Sequence, residues 1–359
     1  MNPEQQRKLQ EYSIAIAEIL YTEAESEQQF TLEIIEKTIQ TQQQPYVSPE
    51  IAAFFLSKST GTTAGRTRKL TSTLGILKIS EKQAKILEVK SCTRISPHLE
   101  QCCLRLSANM SYEQTAVDLE YITGVKINAM SQQRLVHRQE FQLPIATELI
   151  EELSVDGGKV RLRTALGLEC TYKDYKAIQT NIGLLAGYQD NIGLTNWVNS
   201  QPIANIVTCL GDGHDGIWNI IGLVAPNGQR REILDWYHLI ENLNKVGGRR
   251  RRINQAEAYL WMGQVENAKQ LFANLTKKAA KNFCLYLNKH QERIVNYHYY
   301  QLNKICSIGS GAVESAIKQI GRRIKISGAQ WNEQNVPQVL AHRVAYLNGM
   351  IGVNLKAAA

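Results

Sequence analysis

The sequence predicts a mainly α-helical region followed by an α/β domain with a mixed sheet. Apolar residues in the first part of the chain recur at helical spacing, whereas strand-like alternation begins near Glu151. A chain of 359 residues also exceeds what one hydrophobic core usually holds. We therefore assign residues 1–150 to the helical region and residues 151–350 to the α/β domain.

The composition favours a polyanionic partner. The 41 Lys and Arg residues outnumber the 33 Asp and Glu residues, and the resulting charge of +8 indicates nucleic acid before an anionic membrane surface. No apolar run reaches the roughly 18 to 20 residues of a membrane span, and the N-terminus lacks a secretory signal. The 7 cysteines form no C-x-x-C pair, as expected of free thiols in a reducing compartment. These features predict a cytoplasmic protein with no membrane segment.

The helical region begins with an amphipathic helix. Its apolar positions at helical spacing are Leu9, Tyr12, Ile16 and Ile19. A further helix is expected to start with Ser48 as its N-cap, to carry Pro49 in its first turn and to stop before Gly61. The Gln-rich segment at residues 40–44 predicts a loop.

A small β-hairpin is predicted within residues 61–80. Thr, Leu and Ile alternate there with polar residues, and glycines interrupt the run. The hairpin carries a basic cluster of Arg66, Arg68 and Lys69. Either this cluster contacts DNA phosphates or its charges protect a solvated sheet edge.

Residues 111–139 have the pattern of a helix-turn-helix. Ser111 and Gln114 suit a capping box, and Gly124 suits the end of the first helix. The apolar stripe of this helix comprises Tyr112, Ala116, Leu119 and Ile122. The alternative is an ordinary pair of helices whose outer face is solvated.

The second helix of this pair is expected to start near Asn128 and to read DNA. Its inward-facing side chains are expected to be Met130, Leu135 and Val136. Its outward-facing side chains, which would reach base edges and phosphates, are Ser131, Gln132, Arg134 and Arg138.

The α/β domain is predicted from strands that later alternate with helices. The expected strands span residues 152–163, 169–180, 181–187, 205–213 and 230–238. Three consecutive strands followed by helix and strand alternation indicate a mixed sheet. Residues 239–302 read as a helical insertion. The insertion contains a basic run of Arg249, Arg250, Arg251 and Arg252.

Three acidic residues occupy positions suited to chemistry. Asp156 lies in the first strand before two glycines, Asp212 ends an apolar strand between two glycines, and Glu314 lies in the first turns of a later helix. An acid in an apolar strand is costly to bury alone, and adjacent glycines leave room for a charged ligand. Carboxylates with few His or Cys neighbours suit two Mg²⁺ ions about 4 Å apart, with Mn²⁺ as a substitute. Each acid also has an ordinary interpretation as a turn residue or helix cap.

Other residues near the trio have two interpretations. Asp215 is a natural N-cap for the helix that follows it, so it is left out of the candidate set. The basic residues after Glu314 are Arg322, Arg323 and Lys325. They either contact DNA phosphates or form solvated surface, and the arginines of the insertion have the same two interpretations. Trp261 is expected to pack in a core rather than stack on a base.

The order of the motifs VDGG, GDG, DWYH and GSGAVES resembles that of the DDE insertion-sequence transposases of bacteria. The resemblance covers residues 150–350 and implies an RNase H-like catalytic domain with a helical insertion, as in the Mutator-related and hAT-like branches. It implies that the metal ligands are Asp156, Asp212 and Glu314. It also implies that Asp235 and His238 support the site as catalytic residues, although spacing alone allows them to cap a helix.

The resemblance further implies an activity and its partners. Such an enzyme binds the terminal inverted repeats of its element as double-stranded DNA, cuts there and joins the 3′ end to target DNA. Pairing two ends calls for a homodimer or a higher homo-oligomer. The alternatives are an RNase H-like nuclease that does not join ends, and a catalytically inactive DNA-binding regulator.

Overall fold

The computed structural model describes residues 1–24 and 31–352. The chain divides into two compact units, the first spanning Met1–Leu135 and the second beginning at Val136. It is a mixed α/β protein, as the sequence predicts. Within the described ranges, none of the helices combines the length and apolar character needed to cross a bilayer.

The first unit consists mainly of helices. They are α1 (Pro3–Ala24), α2 (Leu32–Gln42), α3 (Ser48–Thr60), α4 (Glu81–Ile86), α5 (Pro97–Ser107), α6 (Tyr112–Thr123) and α7 (Ala129–His137), of which α7 runs across the unit boundary. Strands β1 (Thr67–Ser72) and β2 (Gly75–Ser80) form the predicted hairpin. The loop predicted at residues 40–44 is wrong, because α2 runs directly into a π-helix over Gln43–Val47.

Glycines end two of these helices as the sequence predicts. Gly61 follows α3 with φ of +65°, and Gly124 follows α6 with φ of +69°, a left-handed conformation that glycine adopts without steric cost. At the other end of α6, Ser111 accepts a hydrogen bond from the backbone N–H of Gln114 at 3.0 Å. The predicted capping box is only half formed, since the Gln114 amide donates to Asp118 instead.

The second unit contains a mixed sheet of order β5-β4-β3-β6-β7. Its strands are β3 (Ile150–Arg161), β4 (Tyr172–Thr180), β5 (Leu184–Tyr188), β6 (Ile203–Gly211) and β7 (Arg230–Leu234). The pairs β3–β4 and β4–β5 are antiparallel, whereas β3–β6 and β6–β7 are parallel. The strand predicted at residues 230–238 ends at Leu234, because Asp235 is the N-cap of the helix that follows.

Helices cover both faces of this sheet. They are α8 (Asn191–Asn199), α9 (Asp215–Ile221), α10 (Trp236–Val246), α11 (Arg250–Trp261), α12 (Val265–Gln270), α13 (Lys278–Lys289), α14 (Tyr297–Leu302), α15 (Gly311–Ile324) and α16 (Val336–Leu347). Helices α10 to α14 form the predicted helical insertion, and they share one core with α8, α9 and one face of the sheet. Helices α15 and α16 pack on the other face.

The alternation of side chains along the strands assigns residues to these faces. Val155 belongs to the core shared with α8 and α9, whereas Ala177, the strand partner of Asp156, belongs to the core beneath α15. Successive side chains of a strand point to opposite faces. Asp156 therefore lies on the face of the sheet that α15 covers.

Candidate active site

The register of two parallel strands places Asp156 next to Asp212. Val155 on β3 is paired with Gly211 at the end of β6, and each aspartate follows its pair by one residue. Both side chains are partly buried. The prediction that two distant segments bring these acids together is consistent with this register.

The glycines beside the acids make room for the protein's own side chains. A Cβ on Gly157 would lie 2.6 Å from Nζ of Lys176, and a Cβ on Gly158 would overlap the ring of Tyr175. Gly213, after Asp212, lies against the ring of Tyr286 in the same way. The expectation that these glycines leave space for a ligand is therefore wrong in this conformation.

The turn after β6 holds Asp212 through its own backbone. The Asp212 carboxylate accepts a hydrogen bond from the backbone N–H of His214 at 2.8 Å, and His214 caps α9 by accepting from the N–H of Gly216 at 3.1 Å. The prediction that Asp215 is the N-cap is wrong. Asp215 is the first residue of α9 and pairs with Lys289 of the insertion, which lowers its pKa through a hydrogen bond to that lysine.

Glu314 lies in the first turn of α15, as predicted, and contacts the DWYH motif. Its carboxylate oxygen Oε1 lies 3.4 Å from Nε2 of His238, and the other oxygen lies 3.8 Å from Nζ of Lys318. About a third of each of the His238 and Glu314 side chains is exposed to solvent. His238 is thus in position to orient the Glu314 carboxylate.

Asp235 is a buried clamp between two helices. One carboxylate oxygen caps α10 by accepting from the backbone N–H of His238 at 2.8 Å. The other oxygen accepts from the backbone N–H of Ser310 and from its hydroxyl, the latter at 2.6 Å. Asp235 is 0% exposed. The capping role that spacing allows is confirmed, and the same carboxylate fixes the start of the helix that carries Glu314.

The charges of Asp212 and Glu314 both act on the Asp156 carboxyl group. Burial raises the pKa of Asp156, and the negative charges of Asp212 and Glu314 raise it further. A hydrogen bond from the Gly157 N–H at 2.6 Å and the charge of Lys176 act in the opposite direction. The site therefore concentrates negative charge and favours a neutralising proton or cation.

Carboxylate oxygens are the donors that hard divalent cations prefer, so the trio fits Mg²⁺ chemically. Over residues 1–24 and 31–352, however, no group of three or more His, Cys, Asp or Glu side chains is spaced to hold one metal ion.

The helical insertion supports the Asp212 turn. The ring of Tyr286 on α13 packs on Gly213. Burial raises the pKa of its hydroxyl, and the charges of Asp212 and Asp235 raise it further. One turn later, the fully buried ring of His290 lies 4.8 Å from that of Tyr286. No local sequence pattern marks these residues, because their contacts depend on how α13 packs.

Two other supporting residues follow patterns in the sequence. Ser310 lies in the glycine-flanked segment that precedes the Glu314 helix, and Lys176 alternates with buried residues on β4. Both patterns mark a turn or a strand rather than a site. Their roles become visible only when the sheet aligns them with Asp235 and Asp156.

The helix predicted to read DNA differs in orientation from the expectation. Gln132 is 0% exposed and lies beside Cys103, whereas Met130, expected to face inward, is exposed. Leu135 and Val136 are buried as predicted. The predicted outward residues Arg134 and Arg138 are exposed and Ser131 is half-buried.

The remaining basic residues divide into exposed and bound groups. Arg68 donates to the carbonyl oxygen of Lys90 at 2.8 Å. Arg323 is 1% exposed, and its guanidinium lies 4.9 Å from the ring centre of Trp331. The expectation that Arg323 reaches DNA is therefore wrong in this conformation. The exposed members of the predicted set are Arg66, Lys69, Arg249, Arg250, Arg251, Arg322 and Lys325, and Arg252 is half-buried. Trp261 packs edge-on against Trp236 at 4.8 Å, which confirms its core role.

No protein-family model and no curated protein sequence matches the chain.

Proposed function

We propose that this protein is a DDE-type transposase of an insertion sequence with an RNase H-like catalytic domain. The observation that carries the proposal is the approach of three acids from separate stretches of chain, since Asp212 and Glu314 both lie near enough to Asp156 for their charges to act on it. Asp156 and Asp212 follow paired positions on adjacent parallel strands. Glu314 lies in the first turn of α15, which packs on the face of the sheet where Asp156 lies. The mixed sheet with its helical insertion supports the same proposal.

The proposed cofactor is a pair of Mg²⁺ ions, for which Mn²⁺ is a substitute. Asp156, Asp212 and Glu314 would hold them, since a cation offsets the burial and the repulsion that together raise the pKa of Asp156. When bound, such ions activate an attacking hydroxyl and stabilise the leaving oxygen of a phosphodiester. Because Glu314 contacts His238, binding requires this carboxylate to turn toward the two aspartates.

The surrounding residues position the acids rather than react. Asp235 fixes the start of α15 through Ser310, and it therefore fixes the position of Glu314 in the first turn of that helix. His238 contacts the Glu314 carboxylate and limits its rotamers. Lys176 lies over Gly157, and its positive charge acts to lower the pKa of Asp156, so it favours the ionised form of that carboxyl.

The proposed substrate is double-stranded DNA at the ends of the element. Helices α6 and α7 would form the helix-turn-helix, with phosphate and base contacts from Ser131, Arg134 and Arg138. Additional phosphate contacts would come from the exposed hairpin, from the arginines at the start of α11, and from Arg322 and Lys325.

The test is a strand-transfer assay with the DNA that flanks the gene. Purified protein, Mg²⁺ and supercoiled target are mixed with a pre-cut end taken from those flanks, and joined product is measured. Asp212→Asn removes a proposed ligand, whereas Asp215→Asn changes a nearby exposed aspartate outside the trio. We expect joined product from the parent and from Asp215→Asn, and a loss of at least about 100-fold for Asp212→Asn.

Each other result identifies an alternative. Cleavage without joining would replace the proposal with a nuclease. A third result is a parent that binds DNA without cutting it and an Asp156→Asn variant that retains every activity of the parent. This result would indicate a regulator whose acids have no catalytic role.

A further inference from the structure

Strands β3 and β4 continue beyond their neighbours in the sheet as a two-stranded arm. Strand β6 pairs with β3 only as far as Val155, and β5 pairs with β4 only from Tyr175 onward. Between these limits β3 and β4 pair with each other as far as Arg161 and Tyr172. The arm, defined as residues 159–174, therefore projects from the stretch of β3 that carries Asp156.

The base of the arm is fixed to the second unit. Leu162 is buried in the core that α15 and α16 form with the sheet, and its N–H donates to the carbonyl oxygen of Thr171 at 2.8 Å. The backbone of Trp331 donates to the carbonyl oxygen of Arg161 at 3.1 Å and accepts from the N–H of Arg163 at 2.8 Å. The loop beyond Arg163 is thus held in place at both of its ends.

The tip of the arm is apolar and exposed. It consists of Ala165, Leu166, Gly167 and Leu168. The N–H of Leu168 donates to the carbonyl oxygen of Ala165 at 3.1 Å, and Gly167 has φ of +85°, so these residues form a tight turn. Leu166 is fully exposed at the corner of this turn, and Leu168 is 68% exposed. Turns normally carry polar side chains, and a run of four exposed residues without one indicates a binding function.

The size of the tip limits what it binds. Two leucine side chains offer on the order of 200 Å² of apolar surface, whereas each side of a standard protein interface buries about 800 Å². A single myristoyl chain gives only marginal membrane binding, and the two leucine side chains together contain fewer carbon atoms. Insertion between two base pairs, in contrast, requires only one or two apolar side chains. The tip therefore has the size of a DNA wedge.

The charge of the arm suits the same partner. Its basic residues are Lys159, Arg161, Arg163 and Lys173, and its acidic residues are Glu169 and Asp174, which leaves a net charge of +2. Lys159 and Asp174 are strand partners, so their charges offset each other. Arg163 and Lys173 are exposed, and no ion pair engages either of them within the described chain. Exposed cations beside an apolar tip can bind the phosphates that flank an opened base step.

We propose that the arm inserts Leu166 between two base pairs of the bound duplex and bends the DNA at that step. This inference rests on the proposed function and deepens it, because the wedge selects where the DNA is deformed. Pyrimidine–purine steps are the easiest to unstack, so the wedge favours a TA or CA step without a hydrogen bond to any base.

The length of the arm sets the position of the bend. Arg161 follows Asp156 by five positions along β3, which corresponds to about 17 Å at the rise of a strand. Leu166 follows Asp156 by ten positions, so the tip lies at most about 34 Å away. DNA rises by about 3.4 Å per base pair. We therefore expect the unstacked step about five to ten base pairs from the phosphodiester at the carboxylate site.

Fluorescence of 2-aminopurine, which increases when this base is unstacked, tests the insertion. The full chain is mixed with the pre-cut duplex from the flanks of the gene, in which 2-aminopurine replaces one base at a time over those positions. We expect the parent to raise the fluorescence several-fold at one step. Leu166→Ala should abolish this rise and weaken binding about 10-fold. The control Leu302→Ala removes a leucine that is 71% exposed outside the arm and should behave like the parent.

A duplex that is already kinked tests the reason for the loss of affinity. A two-nucleotide bulge at the responsive step removes most of the cost of bending. Leu166→Ala should therefore bind the bulged duplex within about twofold of the parent. The urea midpoint of each variant verifies that the second unit remains folded.

The remaining outcomes separate this inference from the proposed function. A parent that unstacks no step, a Leu166→Ala variant that unstacks as the parent does, or an equal loss in Leu302→Ala overturns the wedge. Vesicles of phosphatidylcholine and phosphatidylserine that sediment with the parent but not with Leu166→Ala would assign the tip to lipid and also overturn it. Joined product is measured in the same samples. Joining without unstacking overturns the wedge alone, whereas unstacking without joining overturns the proposed strand transfer alone.

Discussion

Replacing Asp235 by asparagine tests whether one buried carboxylate fixes the helices that frame the site. The carboxylate is 0% exposed and accepts hydrogen bonds from the backbone N–H of His238 and from the backbone N–H and hydroxyl of Ser310. Asparagine retains one acceptor oxygen and replaces the other with an amide N–H₂ group. At least one buried donor then faces another donor instead of an acceptor.

The expected loss of stability follows from these contacts. A hydrogen bond to a charged group contributes about 1.5 to 3 kcal/mol, and a buried donor left without an acceptor costs a further 1 to 3 kcal/mol, roughly. We expect Asp235→Asn to lower the free energy of unfolding of the second unit by about 3 to 5 kcal/mol. Ser310→Ala removes only the hydroxyl contact and should lower it by about 1.5 to 3 kcal/mol.

Urea unfolding followed by tryptophan fluorescence measures this loss selectively. All 5 tryptophans lie in the second unit, at positions 197, 218, 236, 261 and 331. The control Asp215→Asn changes an aspartate outside the clamp and should leave the midpoint unchanged, since exposed ion pairs contribute little. An Asp235→Asn protein as stable as the control would refute the clamp.

Three further predictions concern the same unit. In metal-free buffer, Asp156→Asn should be more stable than the parent at neutral pH, because the raised pKa of this carboxyl means that its ionisation destabilises the fold. The difference in stability should vanish as the pH falls below the range in which carboxyl groups titrate. A variant less stable than the parent at neutral pH would contradict this sign. Gly213→Ala should lower the free energy of unfolding by about 1 to 3 kcal/mol, because the new methyl overlaps a tyrosine ring of the insertion, whereas Gly228→Ala meets nothing within 4 Å and should unfold like the parent. Arg322→Ala should weaken DNA binding and reduce the slope of log affinity against log salt concentration by about one unit, the share of one phosphate contact. Arg323→Ala should instead lower the urea midpoint, and equal effects of the two variants on binding would contradict this division.

The order of elements in the second unit was predictable because its strands alternate and its turns contain glycine. Strands β3, β4, β5 and β6 lie within a few residues of their predicted ranges. The predicted last strand extended too far because Asp235, which ends it, belongs by its hydrogen bond to the next helix. An N-cap and a strand end have similar residue types, so tertiary contacts decide between them.

The orientation of α7 was less predictable than its existence. Helical spacing allowed Met130 or Gln132 to face inward, and hydrophobicity favoured the methionine. The structure buries Gln132 beside Cys103 and exposes Met130. A short helix offers few apolar positions, so small shifts in its rotation exchange the buried and exposed residues.

The site was predictable in its acids but not in its supports. Asp156 and Asp212 stand out in the sequence because carboxylates rarely interrupt apolar strands, and Glu314 stands out because it follows a glycine-flanked segment at the start of a helix. The contacts of Ser310 and Tyr286 with the site join segments far apart in the chain, and no local pattern encodes them.

The bond between Asp235 and Ser310 also closes a long excursion of the chain, since 75 positions separate the two residues. The entropy of closing such a loop rises only with the logarithm of its length. A flexible segment added at an exposed turn of this excursion, such as Gly247–Gly248, would therefore cost little, whereas loss of its core helices would remove buried contacts. That turn is thus a tolerant location for inserting a reporter or an additional module.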